Sequence, residues 1–323
     1  MGKRKICKIV FVILSIFLCV AFYELFGICI AYKKQPEVSN TIKKETQNDS
    51  WNERSENMER AVIIEKNPEA LLQRVRLIRN AKEDIILSTF AFQSDESGKL
   101  ILGALHDAAD RGVHVRLLVD GMESWVDMEG NPYFYGLSSH KNVEIKLYNK
   151  ANPLKPWKMM GRMHDKYLIA DGKTYILGGR NTYNYFLGDF LGHKNYDRDV
   201  LVVCDEPEKE NSVNQLLEYF ETIWEQEDSG YFHDNKKLAN RKSVKNAVLE
   251  LQNGYQKYFE ENKERICDTD YTDETFETEK IALVSNPIHT GSKEPVVWYQ
   301  LGELMKNAKN RVKIHTPYII CND

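Results

Sequence analysis

Apolar positions recur along the chain with two periods, and the switching between these periods predicts strands and helices in alternation. An apolar run at 61–65 predicts a strand. Asn67 as N-cap and Pro68 in the first turn then predict the start of a helix. The next helix is expected to be capped by Ser97, and an amphipathic helix is expected at 213–224. Further strands are expected at 84–90, 113–119, 143–148, 163–170, 174–177 and 200–204. This alternation predicts an α/β fold with a largely parallel or mixed sheet.

The N-terminal region contains an apolar run, 9–32, interrupted by the single charge of Glu24. A helix of this length would be about 36 Å long, enough to cross a hydrocarbon core of about 30 Å. The basic residues before it are Lys3, Arg4, Lys5 and Lys8. By the positive-inside rule we expect the N-terminus in the cytoplasm and the remaining chain on the outer side of the cell membrane, although Lys33 and Lys34 oppose this orientation. A cleaved signal peptide and a buried soluble helix are the alternatives; because no small-x-small cleavage site follows, we expect an uncleaved, single-pass anchor.

The chain divides by composition into five parts. We expect a basic flank and transmembrane anchor at 1–32, a polar tether at 33–60, a first α/β domain at 61–205, a charged helical connector at 206–278 and the start of a second domain at 279–323.

An internal match predicts that second domain. Residues 79–90 align with residues 306–317, and this alignment pairs Asn80 with Asn307. Each copy is preceded by an apolar stretch and an Asn-Pro pair, and a strand is expected at 312–320. The alternative is that any helix end followed by a buried strand produces such a match. We expect an incomplete second repeat at the C-terminus.

Composition narrows the class of protein. Lys and Arg number 44 against 48 Asp and Glu, so the net charge of −4 provides no global basic field for nucleic acid, which we consider an unlikely partner. Hydrophobic residues make up 42% of the chain, which excludes a disordered protein. The six cysteines show no C-x-x-C spacing, so a cysteine-bound metal is not expected.

The residues that suggest chemistry lie between 164 and 181. His164 and Lys166 have the spacing of one strand face, so an imidazole and an ammonium would converge on one ligand. An imidazole can attack phosphorus, and Lys binds phosphate as a point charge. Gly178 and Gly179 would let the backbone approach an anion closely, and Asn181 would donate a hydrogen bond to a phosphoryl oxygen. This set predicts a phosphodiester substrate.

The same residues, with Asp171, match the signature H-x-K-x(4)-D followed by G-[GS]-x-N, so residues 60–323 resemble the phospholipase D superfamily. Gly179 and the sequence 196–200 are most similar to bacterial cardiolipin synthase-type members. The resemblance implies a phospholipase D-like mixed sheet flanked by helices, without metal or cofactor. It also implies that His164 attacks phosphorus to form a phosphohistidine while Lys166 and Asn181 stabilise the phosphoryl oxygens.

Two aspartates and four aromatic residues allow two interpretations each. Asp171 either orients the site or shapes the tight turn 171–173. Asp199 either holds a catalytic imidazole in its working tautomer or is an ordinary residue at a strand start. The aromatic residues either line an entrance for the lipid or belong to the core; they are Trp157, Tyr183, Tyr185 and Phe186.

Members of the superfamily build one site from two such motifs, whereas this sequence contains one. The repeat offset puts a second motif beyond Asp323, so we expect a chain truncated relative to that architecture. Three hypotheses follow. The first is a membrane-anchored hydrolase or transferase of phospholipid, favoured by the anchor. The second is a homodimeric phosphodiesterase of nuclease type in which two copies of His164 meet, and the acidic net charge argues against it. The third is a catalytically inactive truncated product.

Overall fold

A nine-stranded mixed sheet forms the centre of the molecule. The computed structural model describes residues 3–31, 33–48, 59–206, 211–233 and 235–314. The strands are β1 (Arg60–Ile64), β2 (Asp84–Thr89), β3 (His114–Asp120), β4 (Val143–Tyr148), β5 (Lys166–Ala170), β6 (Thr174–Gly178), β7 (Asp199–Val203), β8 (Ser229–Tyr231) and β9 (Phe276–Glu277).

The sheet has the strand order β8-β4-β3-β2-β5-β6-β7-β1-β9. β2, β3 and β4 are mutually parallel, whereas β5 runs antiparallel to β2, with Thr89 opposite Lys166. All remaining pairs are antiparallel. The predicted α/β class with a mixed sheet is therefore confirmed.

Helices cover both faces of this sheet. The helices of the chain are α1 (Lys3–Ala31), α2 (Asn40–Asn48), α3 (Asn67–Asn80), α4 (Glu96–Asp110), α5 (Gly121–Asp127), α6 (Pro132–Ser138), α7 (Ser212–Trp224), α8 (Lys242–Glu261), α9 (Lys263–Cys267) and α10 (Val296–Lys306). One core lies between the sheet and α3, α4, α6 and α8; a second lies between the sheet and α7. The three-layer arrangement leaves the strand ends free to form a site.

Several predicted boundaries differ from the structure, and for two of them the structure shows a local reason. β5 begins at Lys166 rather than at 163, because the Met163 amide donates to the Asp120 carboxylate and not to a strand neighbour. The cap of α4 is Asp95, whose carboxylate accepts the Gly98 amide at 3.0 Å. Ser97 lies inside the helix.

The segment expected to be a connector contains α8, and this helix packs on α4 and α6. Its buried side chains Leu251, Tyr255 and Phe259 belong to the same core as those of α4. In the predicted second repeat, the described residues contain α10, while residues 312–314 form no strand. The rest of the strand expected at 312–320 lies outside the described residues, so the second repeat stays a prediction.

The N-terminal helix α1 carries a stretch, Lys5–Ala31, with a mean hydropathy of 2.6, long and apolar enough to cross a membrane. It is the one such helix in the described parts of the chain. Within the tether, residues 40–48 form α2, so this part is helical. The last turns of α1 contact the domain, where the Tyr23 hydroxyl donates to the Leu154 carbonyl at 2.8 Å.

Candidate active site

The residues of the His-x-Lys motif lie beyond the strand ends on one side of the sheet, where β2, β3 and β4 end and β5 begins. This placement follows from the antiparallel insertion of β5, which brings Lys166 beside Thr89 at the end of β2. His164 lies two residues before the start of β5, at the mouth of a cavity. The convergence of His164 and Lys166 therefore depends on the start of a central strand.

His164 is exposed, and its ring packs against Phe90 with centroids 4.6 Å apart. Partial burial lowers the pKa of this imidazole, and the neighbouring cations of Lys166 and Arg162 lower it further, although Asp120 opposes them. The neutral form, which is the nucleophilic one, is therefore favoured at neutral pH.

Lys166 is buried, with 5% of its surface exposed. Its ammonium donates to the His164 carbonyl at 2.6 Å and forms no salt bridge with any residue that the structure describes. Burial lowers its pKa to about 8, against the smaller opposing effects of Asp165, Asp197 and Asp120. Because an ammonium has three donors, two remain for an anionic ligand.

Asp120 fixes the segment that leads into His164. Its buried carboxylate accepts from Arg162 Nε at 2.9 Å and from the Met163 amide at 3.0 Å. The Arg162 guanidinium in turn lies over the Phe90 ring, which contacts His164. Asp120 and Arg162 were not among the site residues predicted from the sequence. The available signal was an aspartate at the end of a predicted buried strand, where parallel strands of an α/β sheet present functional groups.

Asn181 follows β6 and lies against the end of β2. Its side-chain oxygen accepts the Ala91 amide at 3.2 Å, and the residue is 8% exposed. The adjacent Thr182 hydroxyl donates to that of Thr89, which is paired with Lys166. With the oxygen engaged, the amide nitrogen of Asn181 remains as the donor, and its hydrogen bond to a phosphoryl oxygen stays a prediction.

The two glycines make room for carboxylates of the following strand rather than for a ligand. A side chain at Gly178 would collide with the Asp199 carboxylate and the Arg198 carbonyl. One at Gly179 would collide with the carboxylate of Asp197. A phosphate approaching Gly179 from that side would meet the negative charge of the Asp197 carboxylate. The space beside the glycine backbone, which was predicted to receive an anion, is therefore occupied by side chains of the protein. The Asp197 carboxylate also opposes the lowering of the Lys166 pKa, and this residue was not predicted from the sequence.

Asp199 forms ion pairs with two buried arginines instead of orienting an imidazole. Its carboxylate lies 2.9 Å from Arg74 and 3.2 Å from Arg180. Arg180 also donates to the carbonyls of Ile64 and Glu65, at the end of β1. The second of the two interpretations of Asp199 is nearer the structure, and its function is to clamp the loop that carries Asn181.

Asp171 lies at the opposite end of β5 from His164. Its carboxylate accepts the amides of Lys82, Glu83 and Asp84 at 2.8–3.1 Å. Both Asp171 and Gly172 have positive φ, of 53° and 58°, as is typical of the two central residues of a tight hairpin turn. The structure therefore assigns Asp171 the turn-shaping role and places it away from the candidate site.

A cavity of about 370 Å³ opens beside His164 and Lys166. In its wall the Tyr219 hydroxyl donates to the Asp165 carboxylate at 2.8 Å. Burial raises the pKa of Asp165 and lowers that of Lys293, which also lines the cavity. The remaining lining is mainly apolar and includes Leu177, Leu216, Leu283, Ile288 and Val297. The cavity combines cationic groups near His164 with an apolar wall.

The predicted aromatic group separates in the structure. Tyr183, Tyr185 and Phe186 pack against one another, with centroids 4.9–6.2 Å apart, and contact the core. Trp157 remains exposed. In the described parts of the chain, no group of three or more His, Cys, Asp or Glu side chains is placed to hold a metal ion.

Comparison with known proteins identifies a family match over this region. Residues 74–224, which include the whole motif, match the family described as "Cardiolipin synthase, PLD-like domain".

Individual relatives are similar over parts of their length. An uncharacterized protein of Helicobacter pylori strain J99 is 30% identical over 211 residues, covering 61% of this chain and 39% of that protein. Cardiolipin synthase C of Escherichia coli K12 is 29% identical over 171 residues, covering 49% of this chain and 34% of that protein. Among solved structures, the phospholipase D family member Nuc from Salmonella typhimurium has 20% identity and a TM-score of 0.39, covering 55% of this chain and 99% of Nuc. The chain thus spans well under half the length of the curated relatives it matches.

Proposed function

Because this chain belongs to the phospholipase D superfamily as a cardiolipin synthase-like member, we propose that it is a membrane-anchored phosphodiesterase or phosphatidyltransferase acting on phospholipid. The family match and the curated relatives support the choice of a phospholipid. The apolar helix α1 supports the anchor.

The proposed reaction proceeds through a phosphohistidine on His164. The neutral imidazole attacks phosphorus; a P–N bond forms while the P–O bond to the leaving alcohol breaks, and that alcohol takes a proton from a general acid. Water or a second alcohol then attacks phosphorus; a P–O bond forms while the P–N bond to His164 breaks, and the proton of the attacking hydroxyl passes to the conjugate base of the general acid, giving hydrolysis or transfer. Lys166 and Asn181 would bind the phosphoryl oxygens during both steps.

The observation that carries this proposal is the buried ammonium of Lys166 beside His164. It has one protein hydrogen bond and no salt bridge among the described residues, so its charge is available to an anion. A buried cation is costly unless it is paired, and a phosphodiester would supply the missing negative charge.

The orientation of the anchor is part of the proposal. The basic residues at the start of α1 support a cytoplasmic N-terminus, with the catalytic part on the outer side of the cell membrane. The contacts of Tyr23 and Ala31 with the domain support a site held close to the lipid.

The test is to trap the phosphoenzyme. We expect the full chain, incubated with radiolabelled phosphatidylglycerol in vesicles, to acquire an acid-labile and base-stable label. His164→Asn should abolish the label and turnover because it removes the proposed nucleophile, with circular dichroism unchanged. His193→Asn, which changes an exposed histidine in a loop, should leave the label and the turnover intact.

Two results would contradict the proposal. Cleavage of DNA without lipid turnover would identify a nuclease-type phosphodiesterase. The absence of any label, in a folded protein that still binds sulfate through Lys166, would identify an inactive form.

A further inference from the structure

The segment between β4 and β5, which we call the 150–160 loop, exposes large apolar side chains next to the site. Leu154 is 77% exposed, Met160 57% and Trp157 43%. The loop ends two residues before Arg162, so it borders the entrance to the cavity. Three large apolar side chains exposed within seven residues indicate a surface that contacts something apolar.

The loop is held firmly and cannot bury these side chains by folding back. The Asn149 amide donates to the carbonyls of Lys158 and Gly161 at 2.7 and 2.8 Å. The Lys158 ammonium forms an ion pair with Asp228 at 2.7 Å. The exposure of the apolar side chains is therefore a fixed feature of the loop.

The last turns of α1 contact the same loop. The Tyr23 hydroxyl donates to the Leu154 carbonyl, and Gly27 lies so close to Pro156 that a side chain at Gly27 would collide with the proline ring. Farther along, the Ala31 carbonyl accepts from the Ser292 hydroxyl at 2.8 Å, beside the cavity residue Lys293. The domain therefore meets the helix over its last two turns.

These contacts fix the depth of the loop once α1 is in a bilayer. At a rise of 1.5 Å per residue, Gly27 and Tyr23 lie about 6 and 12 Å from the end of the helix at Ala31. An interfacial segment lies about 5–10 Å into the boundary between headgroups and acyl chains. The 150–160 loop is thus placed at the level where Trp side chains concentrate in membrane proteins.

We propose that the 150–160 loop inserts into the leaflet that holds the C-terminal end of α1, with Leu154, Trp157 and Met160 among the lipid chains. Lys155, which is exposed and forms no ion pair among the described residues, lies where an anionic headgroup would be. The inference rests on the membrane anchor of the proposed function. It adds that the site opens directly at the lipid surface, so a phospholipid reaches His164 without leaving the bilayer.

The test uses tryptophan fluorescence of the full chain in vesicles of phosphatidylethanolamine and phosphatidylglycerol. Bromine atoms on the upper part of the acyl chains quench a tryptophan only on close contact. We expect Trp157→Phe to remove most of the bromine-dependent quenching. Trp298→Phe, which changes a tryptophan that is 65% exposed on α10, should leave it unchanged.

Two outcomes would overturn the proposal. Equal quenching in the wild type and in Trp157→Phe would place the loop outside the lipid. A Trp157 shielded from aqueous acrylamide but not quenched by brominated lipid would mean that protein, such as a second copy of the chain, covers the loop. Because quenching needs no turnover, failure of this inference is separable from failure of the phosphohistidine reaction.

Discussion

Lys166 owes its altered acidity to its position at the first residue of a central strand. The strand buries the side chain, while its only described hydrogen bond goes to a neutral carbonyl. Burial without a paired carboxylate disfavours the ammonium and lowers its pKa to about 8. The residue is therefore charged at neutral pH but close to losing its proton.

The affinity for sulfate, a tetrahedral anion whose charge is constant from neutral to alkaline pH, should report this titration. Lys166 is mostly charged at neutral pH, so binding should weaken as pH rises from neutral through about 8. In Lys166→Arg the guanidinium stays charged, since its pKa exceeds about 12, and the loss should disappear. Isothermal titration calorimetry at several pH values measures both.

Lys173→Arg, which changes an exposed lysine in the turn after β5, is the matched control and should keep the wild-type pH dependence. Affinity that declines equally in Lys166→Arg would attribute the titration to another group.

At this scale the sequence predicted the residues that meet but not all of their functions. His164 and Lys166 both line the cavity although His164 lies before the strand, because residues two apart in sequence stay close in space. The ion pair of Asp199 was not predicted, because its partner Arg74 is distant in sequence and lies on a helix. Contacts of this kind depend on the packing of whole elements, which the local pattern does not contain.

The hairpin of β5 and β6 shows how one side chain positions two elements. The Asp171 carboxylate binds three successive amides of the turn before β2, and so ties the hairpin to the neighbouring strand. In a signature read from sequence alone, a structural aspartate of this kind resembles a catalytic one.

Removing that carboxylate should reduce stability while leaving ligand binding intact. Asp171→Ala deprives three backbone amides of a charged acceptor, and we expect a loss of about 2 kcal/mol in the free energy of unfolding. Urea denaturation followed by circular dichroism gives this value. Lys173→Ala in the same turn should change it little.

If Asp171→Ala leaves the free energy of unfolding unchanged but abolishes sulfate binding, Asp171 acts in the active site and not in the turn.

Element boundaries were predicted best where the apolar pattern alone decides them, as in β4, whose observed range is the predicted one. They failed where a side chain takes over a backbone hydrogen bond. The amide of Met163 is bound by Asp120, so β5 starts three residues late. No local signal marks such a substitution.

For the whole molecule, the predicted mixed sheet is confirmed, whereas the contact between anchor and domain was not predicted. The sequence indicates a polar tether at 33–60, and the structure adds that α1 contacts the domain at Leu154. The polar composition of a linker indicates solvent exposure, but it does not determine whether the two elements that it joins contact each other.

The proposed topology makes a prediction at this scale. In right-side-out membrane vesicles, added protease should digest the domain, because a cytoplasmic N-terminus puts the residues after α1 on the outside. In inside-out vesicles the domain should be protected. Immunoblotting against the domain distinguishes the two, and the reverse pattern would invert the orientation.

The position of β5 in the sheet has a consequence for how long the site persists. β5 is the fifth of nine strands, and its amides are bonded to β2 on one side and β6 on the other. The peripheral β8 and β9 have three and two residues and are the strands that fray first. Amide hydrogens from Lys166 to Ala170 should therefore exchange with solvent only when the domain unfolds as a whole. On heating, the hydrogen bond from the Lys166 ammonium to the His164 carbonyl is expected to persist until the sheet unfolds.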